Sequence, residues 1–123
     1  MKKLKLSAMA FIAISVTSSI SHAGTAFYEA TIRKIVTTSS TGLCAAWVQP
    51  GPVDQGLEDC NNRWINFDCS GDFGSKSAGS NSFNLVQLAF VTSRPISINV
   101  SDLSLVDVGT TQYCLADQVQ VTP

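Results

Sequence analysis

The four cysteines of this 123-residue chain constrain its fold more than any other feature. They are Cys44, Cys60, Cys69 and Cys114, and their spacings of 16, 9 and 45 residues do not fit the paired C-x₂₋₄-C ligands of a structural zinc site. An even number of cysteines in a small exported domain is typical of a disulfide framework. We therefore predict two disulfides and no metal, with each disulfide contributing roughly 2–4 kcal/mol to stability.

The first 23 residues have the three-part pattern of a secretory signal peptide. The opening MKKLK carries three lysines, and an apolar run of about eleven residues follows from Leu6. The sequence SHA then places small residues at positions −3 and −1 of a cut after Ala23. A membrane helix would need about 20 apolar residues. We predict a cleaved signal peptide over residues 1–23, export to the periplasm or beyond, and a single domain over residues 24–123 with no membrane span.

The predicted mature chain contains no histidine, because the only one, His22, lies in the leader. Serine–histidine and cysteine–histidine catalysis and histidine metal sites are therefore excluded within it. Without the three leader lysines, five basic residues remain against nine acidic ones, for a net charge of −4. This charge disfavours binding to nucleic-acid phosphates. We predict a non-catalytic protein with no cofactor and no nucleic-acid partner.

The order of the predicted elements is three strands, one helix and two strands. The helix has two apolar stripes, the first with Phe83, Val86 and Phe90 and the second with Leu85, Leu88 and Ala89. One stripe should cover the sheet, while the other packs under a loop or faces a partner subunit. This order is that of the OB-fold, a five-stranded Greek-key barrel, which we favour over a two-layer α+β sandwich. The strands are predicted at residues 27–38, 43–49, 63–69, 96–100 and 113–121, and the helix at 80–94 with Ser80 or Ser82 as its cap.

The disulfide pairing follows from the predicted hairpin of strands two and three. If these strands pair around the loop between them, Cys44 faces Cys69, which leaves Cys60 for Cys114. The sequence also allows Cys44–Cys60 with Cys69–Cys114. In either case the stretch EDCNNRWINFDCSGDFG is predicted to be a disulfide-linked part of the scaffold.

Candidate ligand-binding residues lie on and beside the predicted strands. OB barrels bind oligosaccharides or oligonucleotides across their strand faces and loops, and the acidic charge disfavours the latter. Trp47 and Trp64 on neighbouring strands would form a stacking platform for a sugar, or else ordinary inter-strand packing. Near the strand ends, Gln49, Asn99 and Ser101 offer amide and hydroxyl groups.

The segments ATIRKI, GLCAAWVQ, DC and FNLVQLAFVTSRPISINV resemble the small exported OB-fold proteins that include the B subunit of subtilase cytotoxin. The resemblance covers roughly residues 28–100. It implies a ring of five subunits around their helices, glycan binding and an exported enzymatic partner. It also implies glycan contacts near Thr25 and Tyr28, where Thr25 would supply a hydroxyl, and near residues 101–107. The second stretch, SDLSLVD, lacks the tyrosine that the family uses there.

Two functions therefore remain open from the sequence. The first is a secreted, toxin-B-like glycan-binding subunit that forms a homo-pentamer through the helix at 80–94. The second is a monomeric periplasmic OB-fold protein with an envelope or inhibitory role and no toxin function.

Overall fold

The computed structural model describes residues 24–60, 62–109 and 111–123, so the predicted signal peptide lies outside the described residues. The chain is mainly β, with one α-helix between the third and fourth strands, as predicted. The strands are β1 (Thr25–Thr38), β2 (Leu43–Gln49), β3 (Trp64–Asn66), β4 (Ile96–Val108) and β5 (Thr111–Val121), and the helix is α1 (Lys76–Val91).

The five strands close into a barrel in the order β1-β2-β3-β5-β4. The first half of β1 pairs with β4 and the second half with β2, and the register shifts between Ile32 and Lys34. The short strand β3 pairs antiparallel with β2 and parallel with β5. These pairings confirm the predicted OB-fold-like barrel.

Alternating apolar side chains fill the barrel, as expected for strands with one buried face. Ile96, Ile98 and Val100 of β4 are fully buried, while the residues between them are partly exposed. Helix α1 packs on the barrel through Phe83, whose ring centroid lies 5.9 Å from that of Phe67.

The buried side of α1 combines residues from both predicted stripes. Val86 and Ala89 are buried with Phe83, whereas Phe90 of the first predicted stripe is exposed, as are Leu85 and Leu88 of the second. The helix therefore covers the barrel with one side and leaves apolar side chains on the other. No helix in the described ranges is long and apolar enough to span a membrane.

Both predicted disulfides are confirmed. The Cα atoms are 5.8 Å apart in Cys44–Cys69 and 5.5 Å apart in Cys60–Cys114, within the usual range for a disulfide. The predicted register is wrong by two residues, however. The carbonyl of Cys44 accepts a hydrogen bond from the amide of Phe67 at 3.0 Å. Cys69 reaches Cys44 from two residues further along the chain, after β3 has ended.

Several predicted element boundaries differ from those of the structure, which begins β1 at Thr25 and β5 at Thr111, extends β4 to Val108 and ends α1 at Val91. Two further differences have a direct physical reason. The strand predicted at 63–69 is shorter because Asp68 has a φ of 60°, which ends the extended conformation. The helix begins at Lys76, and its cap is Ser75, whose side chain accepts a hydrogen bond from the amide of Ala78 at 3.3 Å. Ser80 and Ser82, the predicted caps, lie inside the helix.

Candidate functional site

An aromatic row crosses the outer face of the barrel over β2, β3 and β5. Trp47 pairs with Trp64 across β2 and β3, and their rings meet edge to face with centroids 5.7 Å apart. Tyr113 of β5 stacks on Trp64 with an interplanar angle of 11° and a centroid distance of 6.0 Å. We call Trp47, Trp64 and Tyr113 the aromatic row. All three side chains remain partly exposed, so they contribute packing energy and still offer surface to a ligand.

The barrel topology explains why these three residues meet. Ile65 of β3 lies beside Cys114 of β5, and both point into the core, so their preceding residues, Trp64 and Tyr113, point outward together. The ammonium of Lys34 on β1 lies 5.3 Å from the centroid of the Trp47 ring, within cation–π range.

A cavity of about 280 Å³ opens where the β1–β2 turn, β3 and the end of the β4–β5 hairpin come together. We call it the hairpin cavity. Its apolar lining comes from Leu43 of β2 and from Val106 and Val108 of β4. OB barrels use this region for ligands, the face of strands two and three together with the β1–β2 and β4–β5 loops.

Polar side chains line the hairpin cavity together with these apolar groups, and they are Thr41, Asn66, Ser70, Asp72 and Asp107. Asn66 is only 3% exposed, and its side-chain oxygen accepts a hydrogen bond from the amide of Asp68 at 3.3 Å. The carboxylate of Asp107 accepts from Gln112 at 3.1 Å, and that of Asp72 accepts from the Ser70 hydroxyl at 2.9 Å. Each carboxylate is oriented by one donor and retains other lone pairs as acceptors for a ligand.

Tyr28, a candidate from the sequence, does not reach the surface with its hydroxyl. This hydroxyl is buried and has no hydrogen-bond partner within the described residues. Burial, and secondarily the carboxylate of Asp54, raise the pKa of Tyr28 above its ordinary value, while Arg63 acts in the opposite direction. The side chain therefore remains neutral at physiological pH and packs against the core.

The remaining candidates from the sequence lie apart from the hairpin cavity. Thr25 is exposed on β1 and pairs with the buried Ser101 of β4. Asn99 donates to the carboxylate of Asp117 at 2.8 Å, and Gln49 accepts from an arginine of β1. Of the seven candidates, the structure brings together Trp47 with Trp64 and, separately, Thr25 with Ser101.

Sequence reasoning missed Tyr113, Lys34 and the hairpin cavity. One signal was available for Tyr113, because it directly precedes Cys114 in the closing strand of a barrel whose third and fifth strands are parallel. No comparable signal exists for the cavity. It depends on how far the β4–β5 hairpin extends, and β4 continues to Val108 rather than ending at Val100.

The described part of the chain holds no cluster of three or more histidine, cysteine, aspartate or glutamate residues that would bind a metal ion. Compared with known proteins, the chain matches no family model, no curated protein and no solved structure. The resemblance to toxin B subunits therefore stays a prediction from the sequence.

Proposed function

We propose that this protein is an exported, non-catalytic module that binds a glycan in the hairpin cavity. The observation that supports this most is the composition of the cavity, whose lining combines the apolar Leu43 and Val106 with the polar groups of Asn66 and Asp107. A sugar presents apolar ring faces and hydroxyl edges, so a mixed lining of this kind matches both. The aromatic row on the same barrel supplies further surface for sugar stacking.

The size and charge of the cavity narrow the ligand class. Small-molecule pockets usually measure roughly 300–1,000 Å³, and about 280 Å³ suits one or two sugar units at the end of a glycan. Asp72 and Asp107 bring negative charge to the lining, and none of the described residues that line the cavity is a lysine or an arginine. Neutral or amino sugars are therefore favoured over sulfated or phosphorylated ones.

Replacing Asp107 by alanine is expected to weaken glycan binding about 10- to 100-fold, the effect of losing one hydrogen bond to a charged acceptor. Asp107 is exposed, so the melting temperature should change by less than about 2 °C. A glycan array on the mature, oxidised protein identifies the ligand, and titration calorimetry then measures its affinity for both proteins.

Asp59→Ala is the matched control, because Asp59 is an exposed carboxylate outside the cavity lining. It should leave the affinity unchanged. Equal losses in the Asp59 and Asp107 variants would point to a general charge effect and contradict the assignment of the site. An array with no bound glycan at millimolar concentration would contradict glycan binding itself.

We further propose that the module self-associates through the outer side of α1. Leu88 is 55% exposed and Val91 is 79% exposed, with Leu85 one turn before Leu88. Residues three apart on a helix are neighbours, so these side chains form one apolar surface. The helix has a single charged residue, Lys76, at its first position. Two copies of an otherwise acidic protein can therefore approach here without charge repulsion, which favours a second copy as the occupant.

Light scattering on a sizing column should give a mass near five protomers for the mature, oxidised protein, the number of subunits that the resemblance to toxin B subunits implies. Leu88→Glu should reduce this mass to one protomer, because it places a charge at the centre of the apolar surface. Ser80→Glu, on an exposed position of the same helix, should not change it. A single-protomer mass for the unsubstituted protein would contradict the ring and favour the monomeric periplasmic protein.

A further inference from the structure

Gly24, the first described residue of the chain, forms a hydrogen bond with the buried carboxylate of Asp102. The nitrogen of Gly24 donates to Oδ1 of Asp102 at 2.7 Å, and the amide of Asp102 donates back to the carbonyl of Gly24 at 3.1 Å. Asp102 is only 7% exposed. It lies where the register between β4 and β5 shifts, between Ser101 and Leu105, and such irregularities redirect side chains.

A buried carboxylate is stable only when a charge or several donors compensate its lost hydration. Within the described residues, the only salt bridge joins Arg63 to Asp54, so no lysine or arginine of this part of the chain compensates Asp102. The partner that the structure places against Asp102 is the Gly24 nitrogen. The charge on that nitrogen therefore decides whether the carboxylate of Asp102 has a cationic partner at hydrogen-bond distance.

We infer that Asp102 is the internal acceptor for the α-ammonium of Gly24, and that removal of the leader completes this ion pair. Hydrolysis of the peptide bond between Ala23 and Gly24 consumes one water, leaves a carboxylate on Ala23 and frees the amine of Gly24. Below a pH of about 8 this amine is protonated. A neutral backbone donor thereby becomes a cation at hydrogen-bond distance from a buried anion. Processing adds stability to the mature fold, and this role is independent of ligand binding.

The test compares the protein that begins at Gly24 with a form that retains Ala23, each with and without Asp102→Asn. In the form that retains Ala23, the Gly24 nitrogen is a neutral amide. The side-chain oxygen of asparagine accepts a hydrogen bond from such an amide nearly as well as that of aspartate does. Asp102→Asn should therefore lower the melting temperature by about 5 °C in the Gly24 form and by at most about 2 °C in the form that retains Ala23. Thermal unfolding by circular dichroism measures all four.

Two controls isolate the charge at this position. Asp117→Asn removes an exposed carboxylate from β5 and should have the same small effect in both forms. Gly24→Ala should be tolerated, because a Cβ there meets no atom within 4 Å. The side chain of residue 24 is thus unimportant, and only the α-amine of this residue matters.

Intact mass of the protein purified after export should show Gly24 as the first residue, and a different first residue would overturn the inference. An equal decrease in melting temperature on Asp102→Asn in the two forms would also overturn the inference. If the Asp102→Asn protein does not fold, the acylation rate of the α-amine in the unsubstituted protein still tests the ion pair. That α-amine should react at least tenfold more slowly in the native state than in 6 M urea, and equal rates would reject the ion pair.

Discussion

Replacing both Cys60 and Cys114 by alanine is expected to lower the free energy of unfolding by about 4 kcal/mol. This disulfide joins residues 54 positions apart, so its loss restores much of the conformational entropy of the unfolded chain. It also connects the loop before β3 to the start of β5, two parts of the barrel that are distant in sequence. Urea unfolding of the variant and the parent protein, followed by circular dichroism, measures the difference.

Replacing Cys44 and Cys69 together gives the matched comparison. These residues are 25 positions apart, and the smaller loop predicts a loss of about 3.5 kcal/mol. We expect glycan affinity to persist at temperatures where either variant is folded, since neither disulfide lines the hairpin cavity. A variant that keeps its melting temperature but loses the ligand would contradict a purely structural role.

Gly79→Ala is expected to destabilise the protein by about 2–3 kcal/mol, although alanine is the better helix former. Gly79 is buried in the first turns of α1, directly against the backbone that follows β3. A Cβ at this position would lie 2.7 Å from the carbonyl oxygen of Phe67 and closer still to that of Asp68. Backbone atoms cannot rotate away as a side chain does, so the helix would have to move outward.

Ser80→Ala is the control for Gly79→Ala, because Ser80 is the next residue of the helix and is exposed. It should be neutral or slightly stabilising, as helix propensity alone predicts. Urea unfolding of both variants separates the two effects. If Gly79→Ala proved as stable as the parent protein, the close approach of α1 to residues 67 and 68 would be wrong.

The order of the strands and the helix along the chain was predictable because it depends on strong local signals. Alternating residues such as Ile96, Ile98 and Val100 mark a strand with one buried face. The disulfide pairing was less determined, since the sequence also allowed Cys44–Cys60 with Cys69–Cys114. The register of β2 and β3 was less accessible. The prediction placed Cys69 opposite Cys44 on an extended strand, whereas Trp47 pairs with Trp64 and the chain leaves the extended conformation at Asp68, before it reaches Cys69.

The start of α1 was not predictable from the sequence for a different reason. The segment SKSAGSN looks like a loop, since serine, glycine and asparagine are poor helix formers. It is helical because Gly79 lets the helix approach Phe67 and Asp68 closely, and this contact stabilises turns that propensity alone would not. The candidate site likewise depends on tertiary contacts that the local sequence does not reveal. Val106 and Asn66 meet only through the tertiary course of the β4–β5 hairpin.

The connectivity of the two disulfides also determines how the chain can mature. Cys60 lies between Cys44 and Cys69, so the disulfides interleave along the sequence. If the chain is exported as we propose, its N-terminal end meets an oxidant first, so Cys44 and Cys60 are available before Cys69 and the first disulfide open to the chain is not a native one. Thiol–disulfide exchange must then release Cys60. The Cys60–Cys114 disulfide needs the last strand, so under the proposed export correct oxidation would follow folding rather than the order of translocation.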